Sequence, residues 1–198
     1  MPTARESLLD AAFAALDGRP WPRVTMAEVA AAAGVSRQTL YNEFGSKEGL
    51  ARALVRREAD AYLRGVERAL TGVPGAVAPR ERLAAAAVWT VRSATENPLV
   101  RAVLTGCWND RLPTPVTPVT PVSTVPSGKA ASSGPLPAPG ELLGQARDRA
   151  VRLLASDWPT GAVELPLACE AVARLALSYV VAPAPAADVA HMVRTVLA

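Results

Sequence analysis

Three features of the sequence predict an all-helical fold. Apolar residues recur at spacings of three and four along most of the chain. Ala, a strong helix former, supplies 40 of the 198 residues. No stretch shows the apolar/polar alternation of a half-buried strand. The 18 prolines cannot sit inside helices, so they must mark boundaries, and about nine helical segments remain between them.

The first helix is expected over residues 3–17. Leu8, Leu9, Ala12, Phe13 and Leu16 lie at helical spacing behind a Thr3/Glu6 capping box, with Gly18 as the stop. Gly18, Pro20 and Pro22 then make a turn. Thr25 and Glu28 form a second capping box, with Val24 and Val29 as a hydrophobic staple, so helix two starts at Met26 and stops at Gly34. Ser36 caps a short third helix that ends near Phe44, where Gly45 stops it. Ser46 caps a fourth, with Glu48 complementing the dipole of its first turn. That helix runs to about Leu70 and joins two parts of the molecule.

After a Gly/Pro break at 72–79, an apolar helix is expected over roughly 80–96. Pro98 opens another that ends near Trp108. Residues 113–139 hold 8 of the 18 prolines and read as a flexible, extended insertion that cannot bury a core. Periodicity resumes from about Glu141 to Trp158. A very apolar helix follows over about 162–181, and a last one fills 186–197.

Composition narrows the function classes. Net charge is only +3, and residues 1–70 carry 10 basic and 9 acidic side chains, so a binding surface for polyanions must come from placement rather than from bulk charge. No uncharged apolar run reaches the roughly 18 residues of a membrane span. Glu6 and Asp10 interrupt any apolar leader core, and Cys107 and Cys169 read as buried, reduced thiols; a cytoplasmic location is the expectation. Enzyme chemistry is not expected. The single histidine, His191, has no ligand cluster around it, and neither a Gly-rich phosphate loop nor a nucleophile elbow is present, so no catalytic residue, metal or cofactor is expected.

Three short helices with an Ala-Gly-Val turn between the second and third describe a helix-turn-helix, the arrangement that lets one helix lie in the DNA major groove. At about 100° per residue, Leu40 and Phe44 fall on one side of helix three and can pack inward with Val35. Gln38 and Asn42 project to the other side, with Thr39 beside them. An amide can contact adenine with both its atoms, and a Thr methyl can touch a thymine methyl. Arg37 and Tyr41 flank that face and suit phosphate. Lys47 and the amides that open helix four, with Thr25 at the start of helix two, offer further anion contacts.

The run from Thr25 to Ser36, followed by Thr39-Leu40-Tyr41, Phe44 and Ser46-Lys47-Glu48-Gly49-Leu50, resembles the N-terminal domain of tetracycline-repressor-type (TetR) transcriptional regulators. The match covers about residues 5–55. It implies DNA-contacting roles for Thr25, Ser36, Thr39, Tyr41 and Lys47, and departs from the family pattern at Gln38 and Glu43. It also implies a DNA-binding domain over 1–47 and a regulatory and dimerisation domain over 48–198, into which the Pro-rich segment 113–139 is inserted.

The partners implied are double-stranded operator DNA of near-palindromic sequence, an unknown small-molecule effector that releases it, and a second copy of the chain. Homodimerisation is expected through the helices at about 162–181 and 186–197, whose apolar character suits a four-helix bundle. Trp89, Arg92, Leu104 and Trp108 are the candidate lining of an effector pocket. The expected function is that of a ligand-responsive repressor. The alternative is a DNA-binding regulator controlled by a protein that docks on the Pro-rich insertion, with an enzyme carrying an appended helix-turn-helix ranked last.

Overall fold

The computed structural model describes residues 2–72, 77–113 and 138–197. Among them are nine α-helices and one 3-10 turn, with no strand. The expected flexible insertion at 113–139 lies, over residues 114–137, outside the described residues.

The chain divides into two compact units. The first comprises Met1–Arg57 and the described part of Trp108–Leu136, and the second Glu58–Cys107 with Pro137–Ala198. The expected boundary at 47 falls where the fourth helix begins; by packing, that helix belongs to the first unit as far as Arg57.

In the first unit, α1 (Ala4–Gly18), α2 (Met26–Ala32) and α3 (Arg37–Phe44) begin where the sequence predicts, because each start is set by a local cap. Thr3 and Thr25 each accept from the amide three residues on, while Glu6 and Glu28 reach back to the N-cap amides. Ser36 Oγ accepts from the Thr39 amide at 3.0 Å. Gly34 and Gly45 take φ of +67° and +72°, a region that L side chains avoid, and so let the chain reverse after α2 and α3. The Pro20–Pro22 stretch, expected as a plain turn, winds into a 3-10 turn at Trp21–Arg23 that buries Trp21. The Trp21 amide donates to the Arg111 carbonyl at 2.7 Å. Leu8, Val29, Leu40, Leu50 and Leu54 form the core and are almost wholly buried.

Helix α4 (Lys47–Thr71) contributes to both units. In the second unit, α5 (Pro79–Glu96) is central and packs against α6 (Pro98–Thr105), α8 (Leu165–Val181) and α9 (Ala186–Val196), while α7 (Pro139–Leu154) packs on α8. Arg82, on α5, holds two helix ends. Its Nε donates to the Leu70 carbonyl at 2.6 Å, its Nη2 to the Leu153 carbonyl at 3.0 Å and its Nη1 to Asp157 at 2.8 Å, satisfying last-turn carbonyls that have no partner within their own helices.

Three expected boundaries shift. Helix α6 ends at Thr105 rather than near Trp108, because Gly106 adopts a left-handed conformation at φ +72°. Helix α7 ends at Leu154 rather than Trp158, where Arg82 takes up the Leu153 carbonyl. Helix α8 begins at Leu165 rather than at 162, because Pro166 is tolerated only in a first turn, where its missing N–H costs nothing. Both cysteines are unpaired; Cys169 is buried as expected, whereas Cys107 is exposed beyond the end of α6.

Candidate nucleic-acid interface

Helix α3 is amphipathic in the sense that matters for a reading helix. Leu40 is fully buried and Val35 and Phe44 are half-buried, so one side is fixed to the core of the first unit. The other side presents Arg37, Gln38, Tyr41 and Asn42 as exposed side chains, with Thr39 half-buried between them. Tyr41 is 48% exposed, although aromatic.

These side chains are organised by one another. Gln38 Nε2 donates to Asn42 Oδ1 at 2.8 Å, one helical turn on. Ser36 Oγ and Thr39 Oγ1 are 2.9 Å apart, which turns the Thr39 hydroxyl toward the cap. Glu43, the acid of α3, is drawn back toward α1. Arg5 Nη1 donates to its carbonyl at 3.3 Å and pairs with its carboxylate at 3.5 Å, while the guanidinium stacks 4.6 Å from the Phe44 ring centroid. Repulsion from that carboxylate is thereby offset, and Arg5 is engaged in offsetting it.

Two expected anion contacts are already in use within the protein. Lys47 Nζ donates to the Pro22 carbonyl at 3.1 Å and sits 5.4 Å from the Trp21 ring, joining the start of α4 to the 3-10 turn. An ammonium has three donors, so others can still reach phosphate. Thr25 Oγ1 donates to Glu28 Oε2 at 2.8 Å, and the same carboxylate takes the Thr25 amide at 3.0 Å. The start of α2 thus carries its own anion. Hydrogen bonds from Thr25, reinforced by Arg19, hold the Glu28 carboxyl below the ordinary carboxylate range. At the start of α4, Ser46 Oγ accepts from the Gly49 amide at 3.1 Å, and Glu48, bonded to its own amide and to Ser46, is likewise lowered.

None of the four residues expected to line an effector pocket lines the cavity of about 30 Å³ in the second unit. Leu104 is fully buried, Arg92 is exposed, and Trp108 lies past α6 and groups with the first unit. Trp89 is half-buried, its ring seated on Gly65 of α4 and its Nε1 donating to the Tyr62 carbonyl at 3.2 Å. That cavity is lined by Tyr62, Thr90, Ala146, Cys169 and Ala176 among others. Tyr62 Oη and Thr90 Oγ1 are 3.2 Å apart there, and Thr90 donates onward to the Ala86 carbonyl at 2.9 Å. Burial pushes the Tyr62 hydroxyl up to about 12 and the Cys169 thiol up to about 11. The signal that could have found this pair is a Tyr and a Thr at core-facing positions of otherwise apolar helical stretches.

Among the described residues no group of His, Cys, Asp or Glu could hold a metal ion, and no helix is long and apolar enough to cross a membrane.

Comparison with known proteins bears on the same region. Residues 8–54 match the family of bacterial regulatory proteins of tetR type. The HTH-type transcriptional regulator AlkX of Mycobacterium tuberculosis is 48% identical over 66 residues, which are 33% of this chain and 31% of that protein. The chain spans only a third to a half of the length of the first curated relatives that it matches. Among solved structures, the TetR family repressor AlkX from Dietzia, implicated in biodegradation of n-alkanes, is 23% identical, with 98% of this chain and 94% of that one covered at a TM-score of 0.57. A TetR/AcrR-family regulator from Thermobifida fusca is 16% identical, with 98% and 95% covered at 0.61. At such identities these two show a shared fold. The likeness to the tetR family of bacterial regulatory proteins is thus one of sequence over residues 8–54 and one of fold over the rest.

Proposed function

We propose that the chain is a DNA-binding transcriptional regulator that acts as a homodimer, represses from a near-palindromic operator and is released by a small molecule. The observation that carries this reading is the exposed polar face of α3, with Gln38, Asn42, Tyr41 and Arg37 on one side and Leu40 locked into the core on the other. Gln38 and Thr39 meet base edges, with Asn42 beside them on the same face; Arg37, Tyr41, Lys47, Ser36 and Thr25 position the helix on phosphates.

Dimerisation is supported by the surface of the last two helices. Leu167 and Val181 on α8 and Met192 and Val196 on α9 are between 41% and 62% exposed. On α8, Leu167, Ala171, Arg174, Ser178 and Val181 are all exposed at alternating spacings of four and three, the seam of a helix that packs at a shallow angle on another. Two copies related by a two-fold axis present two reading helices to a two-fold operator.

Effector control is supported by the hydroxyl pair of Tyr62 and Thr90 beside the cavity in the second unit. At about 30 Å³ the cavity has room for a water and no more, so an effector acts by stabilising an expanded form, a population shift. Because α4 carries Tyr62 and, over residues 47–57, part of the first unit, it is the covalent route by which that shift reaches α3.

The reading is tested by fluorescence anisotropy of the full chain on labelled DNA from its own upstream region. Saturable binding that survives excess unrelated duplex is expected, and Gln38→Ala with Tyr41→Ala reduces it at least tenfold. Equal binding to every duplex would refute a regulator that reads sequence.

A further inference from the structure

The bond from Gln38 Nε2 to Asn42 Oδ1, 2.8 Å long, does more than decorate the surface of α3. A terminal amide rotates freely about its last torsion, and its oxygen and nitrogen exchange places at little cost. The bond to Asn42 biases that choice. The carbonyl oxygen of Asn42 favours Nε2 on the side toward the end of α3 and Oε1 on the opposite side. One N–H of Gln38 is used by this bond, and the second N–H and Oε1 remain, a donor and an acceptor side by side.

That pair is complementary to the major-groove edge of adenine, which offers N7 as acceptor and N6–H as donor. Guanine offers two acceptors there, N7 and O6, and the second would face Oε1 unfavourably. The acid of α3 does not compete for the same edge, since Glu43 is held by Arg5 through both its carbonyl and its carboxylate. We propose that Asn42 is a positioning residue which fixes the amide of Gln38 to read one adenine in the bound DNA. This rests on the reading of α3 as the helix that enters the major groove. It divides the labour between the two amides: Gln38 touches the base, and Asn42 acts through Gln38.

The test uses the full chain and a randomised duplex library, followed by binding titrations on the enriched duplex and on duplexes changed at single base pairs. The wild type is expected to prefer A·T over G·C about 5- to 100-fold at one position. Asn42→Ala should lose most of that preference while its affinity for the G·C duplex changes little. Asn42→Asp keeps an acceptor in the same place, so the preference should survive even though an added charge weakens binding to all duplexes alike. Gln38→Glu, an acceptor only, should move the preference to cytosine. Both side chains are exposed, and unchanged helical melting verifies that the three variants fold. An adenine preference unaltered in Asn42→Ala, or a loss of affinity equal for every sequence, would overturn the assignment and leave DNA reading by α3 intact. Failure of the wild type to enrich any sequence would overturn both.

Discussion

The indole of Trp89 lies across the backbone of Gly65, close enough that a β-carbon at position 65 would occupy the ring's own space. The contact joins α5 to α4 without a side chain from α4, and lets Trp89 Nε1 reach the Tyr62 carbonyl one turn earlier. Gly65→Ala sets two effects against each other. Helix propensity gains about 1 kcal/mol. Displacing a half-buried indole and breaking its hydrogen bond costs about 2–4 kcal/mol. Net destabilisation of about 1–3 kcal/mol is expected in urea unfolding, with a changed tryptophan emission spectrum; a stabilised variant with unchanged emission would contradict the contact.

Gly49 meets a harder limit. A β-carbon there would land on the carbonyl oxygen of Phe44, and that carbonyl is itself fixed, since it accepts from the Ser46 amide at 2.8 Å. Backbone has nowhere to move without shifting the end of α3 against the start of α4. Gly49→Ala should therefore cost about 3 kcal/mol, whereas Gly144→Ala, with open space at its β-carbon, should be neutral or slightly stabilising. Thermal melts of the two variants side by side check this.

Acid should loosen the first unit through its capping boxes. Glu6 and Glu28 are held below the ordinary carboxylate value of 4.5 by hydrogen bonds from Thr3 and Thr25. A carboxyl lowered in the folded state stabilises the fold fully above about pH 4.5, and the contribution is lost as pH falls through the lowered value. Glu28→Gln keeps a capping side chain but no charge. Urea midpoints measured from pH 6 to pH 3 should decline less steeply in this variant than in the wild type. Parallel declines would remove Glu28 from the account.

Polar substitution on the exposed face of α8 and α9 should separate assembly from folding. Leu167→Glu with Met192→Lys replaces side chains that are 61% and 41% exposed, so the single chain should keep its helix content. Sedimentation equilibrium should shift from dimer to monomer, and affinity for a two-fold site should fall at least tenfold. A wild-type chain that sediments as a monomer would refute the dimer directly.

Helix starts were legible in the sequence because their causes are local: Thr3, Thr25 and Ser36 lie three residues from the amides they cap. The orientation of α3 was legible for the same reason, since one turn relates Leu40 to Phe44 and Gln38 to Asn42. Helix ends were read less well. Those of α6 and α7 depend on a left-handed glycine and on Arg82, which lies far from Leu153 in sequence. The pairing of Arg5 with Glu43 and the reach of Lys47 to Pro22 were invisible, because nothing short-range links positions 38 or 25 residues apart. The cavity lined by the buried hydroxyls of Tyr62 and Thr90 was not legible, because it forms only when helices distant in sequence pack together.

Arg82 has a consequence for chain continuity. It stands before residues 114–137 in sequence, yet it binds Leu153 and Asp157 after them, and Arg149 with Glu67 and Arg194 with Glu81 bridge the same interval at 2.6 and 2.8 Å. The second unit is in effect two peptides, one ending with α6 and one beginning with α7, interlocked through α5 and α8. Severed once between residues 114 and 137, it should persist as a two-fragment complex that co-elutes under native conditions and parts only in denaturant, and the two halves produced separately should find each other.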